Sequence, residues 1–317
     1  MIHVESRLLS PKDCDTLGYL TVSSRKGTIL ESDRSAEEIA ANIETLAKNQ
    51  DYEILIALDE NQDIIGWIYY YVAIPPMAFI NGYLPIADQT RESGNIILAL
   101  INASKRNIIE REYTRLEINN DFPTDAHKQM SDRLLNWYKK CDFQFAAEEA
   151  HMKTDLRKIR IPENSLPNGY SLQSFSEISY DQLEIAGFQA LQNSNDELFI
   201  SMSQSEQKVS LKYFFDKSRN FIKEASLVLE KDGRVVGFVI TRVDDDIAEI
   251  GPFDLIPEVR GHGLGNYLLG CALKNIKDAG FVSVSLDVSK SNIPAKMLYN
   301  RYGFEELYSK QFYFWSP

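Results

Sequence analysis

A glycine-rich turn between a strand and a helix most constrains the fold of this 317-residue chain. The turn spans residues 260–265, and the run at 247–250 before it is strand-like. After the turn, apolar residues recur at helical spacing as far as Ala279, and Gly280 stands where a helix C-terminal cap is expected. This order predicts backbone N–H groups without intrahelical partners at a helix N-terminus, where phosphate groups bind.

Two common phosphate-binding loops do not fit the turn. No Lys-Ser or Lys-Thr pair follows the glycines, which argues against a Walker-type nucleotide loop. Asp287 follows Gly265 at about the distance of a dinucleotide-binding acid, but the strand pattern before the turn is wrong for that fold. On its own, the turn could also be a plain strand-to-helix connection that binds no phosphate.

A second motif follows the predicted strand at 282–288. Arg260-x-x-Gly263-x-Gly265 and then Asn292-x-x-Ala295-x-x-Leu298-Tyr299-x-x-x-Gly303-Phe304 resemble the two signature motifs of the GNAT superfamily of acyl-CoA-dependent N-acyltransferases. The close resemblance covers residues 225–315. It implies an N-acetyltransferase that uses acetyl-CoA as cosubstrate, with no metal, and acts on a small-molecule or peptide amine.

The resemblance also implies where the cosubstrate binds. The amides of the turn would hold the pyrophosphate beside the charge of Arg260. A bulge would split the preceding strand from its neighbour, so that the pantetheine arm pairs with free backbone groups there. The predicted cofactor-binding residues are Phe253, Leu255, Arg260, Gly261, His262, Gly263, Leu264, Gly265, Asn292 and Tyr299. His262 is expected to neighbour the phosphates, while Arg260 as a surface cap and Asn292 as a helix N-cap stay open alternatives.

Three residues are expected to carry the chemistry. Tyr299 would protonate the leaving thiolate, and the Leu255 amide would stabilise the oxyanion. Glu249 is the predicted general base, with Asp254 as second candidate. Each has a structural alternative, since Tyr299 could simply pack the helix and Glu249 could face the surface. Cys271 lies mid-helix away from any base, which favours direct attack in a ternary complex over a covalent intermediate.

The sequence contains an internal repeat. Gly66 and Gly94 recur 171 positions later as Gly237 and Gly265. At this offset Glu92 stands in place of Gly263, and a carboxylate there would repel a pyrophosphate. We therefore expect that the N-terminal copy does not bind acyl-CoA in the usual way and serves as a structural partner.

The predicted fold class is α/β (α+β), with two tandem GNAT-like domains that each contain a mixed, mostly antiparallel sheet flanked by helices. Residues 1–156 would form the degenerate domain, 157–169 a linker, and 170–317 the catalytic domain. The linker prediction rests on two prolines and a glycine among few apolar residues. We also predict a hairpin of 143–147 with 150–155, and separate closing strands near Phe304 and Phe312.

Composition bounds the partners. A net charge of −12 argues against nucleic acid or an anionic membrane as partner. Three widely spaced cysteines fit neither a disulfide framework nor a metal site, and no apolar run is long enough to span a membrane, which together predict a cytoplasmic protein. Residues 244–246 are three aspartates that form a solvated turn or attract a cationic acceptor. The alternative function is a non-catalytic acyl-CoA-binding sensor or interaction protein, and the oligomeric state stays open.

Overall fold

The structure is a computed structural model that describes residues 2–162, 165–244 and 247–317. The acidic turn considered for the acceptor includes Asp245 and Asp246, which lie outside the described residues. The chain divides into two compact units. The N-terminal unit comprises Met1–Ala146 with Lys310–Pro317, and the C-terminal unit comprises Ala147–Ser309. Both units combine a mixed, mostly antiparallel sheet with helices, so the predicted fold class is confirmed.

The N-terminal unit follows the predicted order of elements. Its strands are β1 (His3–Glu5), β2 (Tyr52–Leu58), β3 (Ile64–Ile74), β4 (Met77–Asn81), β5 (Ile86–Ala87) and β6 (Arg115–Phe122). Its helices are α1 (Pro11–Arg25), α2 (Ala36–Lys48), α3 (Ser93–Glu110) and α4 (Asp125–Lys140). The strand order in this unit is β1-β2-β3-β4-β6, with β5 beside β3. Among the described strand pairs of this unit, β4 and β6 are parallel and the others are antiparallel. A capping box of Ser35 and Glu38 starts α2.

The C-terminal unit repeats this arrangement. Its strands are β7 (Gln144–Asp155), β8 (Tyr170–Ser174), β9 (Leu227–Lys231), β10 (Arg234–Asp244), β11 (Ile247–Leu255), β12 (Ser283–Ser289) and the first part of β13 (Glu305–Trp315). Its helices are α5 (Tyr180–Leu191), α6 (Glu197–Ile200), α7 (Gln204–Phe214), α8 (Leu264–Asp278) and α9 (Ile293–Arg301). Strands β8, β9, β10 and β11 are antiparallel, β11 and β12 are parallel, and β12 pairs antiparallel with β7.

Two strand predictions are wrong. The expected hairpin at 143–155 is one continuous strand, β7, because Glu148 and Glu149 offer no turn-forming residue and apolar side chains alternate inward from Ala150. The two closing strands are likewise one strand, β13. The compact division falls at Ala146, earlier than the predicted domain end at 156, because residues 149–155 of β7 pair with β12.

The core of the C-terminal unit holds the glycine turn in place. Helix α8 buries Leu268, Ala272 and Ile276 completely against the sheet, as its helical spacing predicts. No helix in the described part of the chain is long and apolar enough to cross a membrane.

Candidate functional site

The glycine turn is open to solvent at the start of α8. Gly261 and Gly263 both have φ of +80°, and Gly263 is the N-cap of the helix. No described side chain caps this helix, so its first amides point outward without a partner. A Cβ added at either glycine would meet no described heavy atom within 4 Å. The left-handed backbone, rather than crowding inside the protein, therefore requires glycine at these two positions.

Strand β11 separates from β12 beside this turn. Gly251 and Pro252 together face the single residue Ile240 of β10, which is a β-bulge. In the described chain, β11 pairs with β12 only over Ala248–Ile250, so the backbone beyond the bulge is free on that side. The amide of Leu255 lies in this free stretch and donates to the carboxylate of Asp254 at 2.8 Å. The predicted split is therefore present, and the predicted oxyanion donor is already hydrogen-bonded.

A cavity of about 570 Å³, here called the turn cavity, lies between the glycine turn, the split strand and α9. Eight of the predicted cofactor-binding residues line it: Phe253, Leu255, Arg260, Gly261, Gly263, Gly265, Asn292 and Tyr299. The side chain of Leu264 is instead in the core, so only its amide could serve a ligand. His262 is exposed and does not line the cavity.

A second cavity of about 420 Å³, here called the acidic cavity, lies on the other side of Tyr299. Two guanidinium groups line it, from Arg219 and Arg242. The guanidinium of Arg242 donates hydrogen bonds to the backbone carbonyls of Phe214, Asp216 and Arg219. Carboxylates outnumber them, so the lining is net negative and attracts cations. The carboxylates belong to Glu149, Asp196, Glu249, Asp254 and Asp287.

Tyr299 stands where the two cavities meet. Its side chain lines both, and its ring lies 6.2 Å from the ring of Phe253 and 5.8 Å from that of Phe304. No described residue hydrogen-bonds to its hydroxyl group, although the residue is only 5% exposed. Burial, and next the charge of Asp254, raise the pKa of Tyr299 above its ordinary value. The hydroxyl therefore stays protonated at neutral pH and is free to donate its proton to a ligand.

Asp254 is the carboxylate at this junction. It also lines both cavities, and it accepts hydrogen bonds from the Leu255 amide and from Nη2 of Arg260 at 3.2 Å. Burial raises the pKa of Asp254 to about 6, although the guanidinium of Arg260 opposes this. Glu249 lines only the acidic cavity and faces Arg242 across the β10–β11 pair.

The side chain of Arg260 is directed into the protein. It donates to the carbonyl oxygens of Leu255, Ala190 and Asn193, in addition to Asp254. These bonds use most of the five donors of a guanidinium and fasten the segment after α5 to β11. Binding of a pyrophosphate by this side chain stays a prediction, and its observed contacts are with the protein. Asn292 caps α9 through Ala295 N at 3.2 Å and also lines the turn cavity, which fits both of its predicted roles.

In the N-terminal unit, other side chains fill the positions that correspond to the open turn and to Tyr299. A Cβ at Gly265 would lie 3.6 Å from Leu298, whereas one at its counterpart Gly94 would lie 2.6 Å from the ring of Trp137. Glu92 is the N-cap of α3 there. Tyr138 is fully buried and donates to the carbonyl of Leu84 at 3.0 Å, in contrast to Tyr299. These contacts support the prediction that this copy does not bind acyl-CoA in the usual way.

Part of the acidic cavity escaped the sequence-based prediction. The segment at 192–207 contributes Ser194, Asp196 and Leu198 to this cavity. Glu149 and Asp287 were not predicted, because the pairing of β7 with β12 brings together residues far apart in sequence. Asp287 also contacts His151 at 2.8 Å. Within the described residues, no group of three His, Cys, Asp or Glu side chains could hold a metal ion.

The comparisons with known proteins agree with this geometry. The family model described as the acetyltransferase (GNAT) family matches residues 188–304, which include the turn, the split strand and Tyr299. This part of the chain is a GNAT-family domain. The chain is 29% identical over 157 residues to a mycothiol acetyltransferase of Thermomonospora curvata, a match that covers 48% of the chain and 50% of that protein. A putative ribosomal protein bS18-alanine N-acetyltransferase of Bacillus subtilis is 37% identical over 79 residues, 25% of the chain and 52% of that protein. The chain thus spans about half the length of the curated relatives it matches.

Solved GNAT structures share the whole fold. A GCN5-related N-acetyltransferase from Sphaerobacter thermophilus superimposes with a TM-score of 0.59 at 17% identity, covering 99% of this chain and 95% of that one. A tandem GNAT protein from the clavulanic acid biosynthesis pathway gives 0.53 at 14% identity, covering 100% and 98%. At these identities the likeness extends to the fold alone, and it confirms the tandem arrangement.

Proposed function

We propose that the C-terminal unit transfers an acetyl group from acetyl-CoA to a primary amine by direct attack in a ternary complex. The observation that carries this proposal is the meeting of the two cavities at Tyr299. One cavity offers helix N-terminal amides to a pyrophosphate, and the other offers carboxylates to a cationic amine. A thioester and an amine held in the two cavities would face each other at the junction.

The turn cavity fits the cosubstrate at both of its ends. Open amides at Gly263 and after it suit the diphosphate, and the free edge of β11 beyond the bulge suits an extended arm that adds to the sheet like a strand. Space in front of Gly261 and Gly263 leaves the backbone within reach of an anion.

In the proposed reaction the amine nitrogen attacks the thioester carbon, so that a C–N bond forms and the C–S bond breaks. Tyr299 gives its hydroxyl proton to the departing thiolate. Because burial raises its pKa, the hydroxyl is still protonated when the thiolate forms, but it is a weaker acid than a free tyrosine and gives up its proton only to a strong base beside it. The tyrosinate then recovers a proton from solvent.

The carboxylate of Asp254 is our preferred base, ahead of Glu249, because it lies at the junction and has a pKa near 6. It accepts a proton from the bound ammonium, directly or through water, so that the neutral amine can attack. The nitrogen releases its second proton to solvent as the amide forms. A protonated Asp254 accepts a weaker hydrogen bond from the Leu255 amide. This amide then becomes available to the oxyanion as negative charge develops on the thioester oxygen. Glu249 would attract the ammonium from within the acidic cavity.

The acceptor is proposed as a cationic amine, either a small molecule or a peptide N-terminus. Proteins that resemble this chain are named for one substrate of each kind, mycothiol and ribosomal protein alanine. The test is thiol release from acetyl-CoA in the presence of an amine panel, with the acetylated product identified by mass spectrometry. Thermal stabilisation by coenzyme A without turnover on any amine would contradict the proposal and favour the sensor, which no present observation favours.

A further inference from the structure

The N-terminal unit contains a cavity of its own, about 440 Å³ in volume, between α1, α2 and β3. We infer that this cavity, here called the arginine cavity, binds a small organic anion that carries a planar or apolar body. In the C-terminal unit the matching elements α5, α7 and β10 also contribute residues to a cavity, the acidic cavity. The volume lies within the range of about 300–1,000 Å³ that is usual for small-molecule sites.

The charge of the arginine cavity is the reverse of that of the acidic cavity. Arg25 and Arg34 both line it, and no Asp or Glu is among its described lining residues. Neither guanidinium forms an ion pair or a side-chain hydrogen bond with any described residue. Two unpaired guanidinium groups at one cavity suit a carboxylate or a phosphate, which they bind through charge-assisted hydrogen bonds.

Arg25 is the most unusual of these residues. Its Nε is the one buried side-chain nitrogen or oxygen of the described chain that has no hydrogen-bond partner. Burial also lowers the pKa of this guanidinium, so that the surroundings disfavour its charge. Buried polar groups in folded proteins nearly always have partners, and an exception calls for an explanation such as a bound water or ion. A bound anion would supply the missing acceptor.

The rest of the wall suits an apolar or planar body. The rings of Trp67 and Tyr69 stack at 5.5 Å with an angle of 23° between them, and both line the cavity. Trp67 is fixed by a hydrogen bond from Nε1 to Thr21, which is itself bonded to the carbonyl of Leu17. Ile39 and Leu46 of α2 complete an apolar side opposite the charged end.

The inference is independent of catalysis, because every residue it uses belongs to the N-terminal unit. The turn of this unit is closed at Gly94, yet the unit has a cavity between elements that match those beside the acidic cavity. We therefore assign it the binding of a second ligand, which carries charge opposite to that of the acceptor.

Isothermal titration of the full chain tests the assignment, with phenyl phosphate and 3-phenylpropionate as probes and coenzyme A present at saturation to fill the turn cavity. We expect saturable binding of at least one probe. Arg25→Met should weaken it about tenfold or more, because one charge-assisted contact is lost. The matched control, Arg106→Met, removes an exposed arginine of α3 and should leave the affinity unchanged. Benzyl alcohol, a neutral analogue, should bind at least tenfold more weakly than either anion.

Thermal unfolding separates a binding role of Arg25 from a structural one. An unpaired, partly buried guanidinium destabilises the ligand-free protein, so Arg25→Met should leave Tm unchanged or raise it. If this variant does not fold, Arg34→Met, at an exposed position, replaces it in the titration and should weaken binding at least threefold. The inference is overturned if neither probe saturates, if the arginine variants bind as tightly as the native chain, or if the neutral analogue binds equally well.

Discussion

Exchange of two tyrosines for phenylalanine separates catalysis from stability in this chain. Tyr299→Phe removes a hydroxyl that no described residue hydrogen-bonds, so the free energy of unfolding should change by less than about 0.5 kcal/mol. The same change removes the proposed general acid. The turnover number should therefore fall about 10²- to 10⁴-fold, which corresponds to about 2.7–5.4 kcal/mol of transition-state stabilisation.

Tyr138→Phe is the matched control, because Tyr138 precedes Phe143 near the end of α4 as Tyr299 precedes Phe304 near the end of α9. Its buried hydroxyl donates to the Leu84 carbonyl, and loss of that donor leaves the carbonyl unsatisfied at a cost of about 1–3 kcal/mol. The expected fall in Tm is roughly 2–4 °C for each kcal/mol, with an unchanged turnover number.

Both variants are measured by thiol release from acetyl-CoA with an accepted amine and by thermal unfolding without ligand. The reasoning fails if Tyr299→Phe retains native turnover, or if it lowers Tm as much as Tyr138→Phe does. The first result would assign Tyr299 to packing, and the second would mean that its hydroxyl has a partner within the protein.

Three further outcomes follow from the site. Gly263→Glu should weaken coenzyme A binding at least tenfold in calorimetry, whereas Gly233→Glu, which strains a turn of similar φ away from both cavities, should not; equal losses would refute the role of the turn. The value of kcat/KM should rise with pH through about 6 as Asp254 loses its proton, because a base acts only when ionised. Asp254→Asn should abolish this limb while Glu249→Gln keeps it, and the reverse pattern would make Glu249 the base. Coenzyme A should bind with a stoichiometry of one per chain, and a second equivalent would contradict the closure of the N-terminal turn.

Features fixed by neighbouring residues could be predicted from the sequence. The position of α8 and the turn before it follow from glycine placement and helical spacing, and β2 has the predicted bounds Tyr52–Leu58. The location of Tyr299 beside the turn follows from a motif of fixed spacing, and eight of the ten predicted cofactor-binding residues line one cavity.

Features fixed by distant parts of the chain could not be predicted. His151 and Asp287 are 136 positions apart, and only the pairing of β7 with β12 makes them neighbours. The Arg260 side chain is directed by the carbonyls of Ala190 and Asn193, about 70 positions earlier in the chain, and no local pattern encodes their positions. The same is true of the unpaired Arg25, because its lack of a partner is a property of the packed unit.

The pairing of β7 with β12 also decides how the chain can be cut for study. A fragment that begins at the predicted linker would lack β7 and leave β12 without its partner along Ser283–Ser289. Val284, Leu286 and Val288 lie on that strand and are buried in the intact unit. A bare, apolar sheet edge of this length recruits other chains and promotes aggregation. Expression of the C-terminal unit therefore has to begin upstream of Ala147, and failure of shorter fragments would reflect a missing strand.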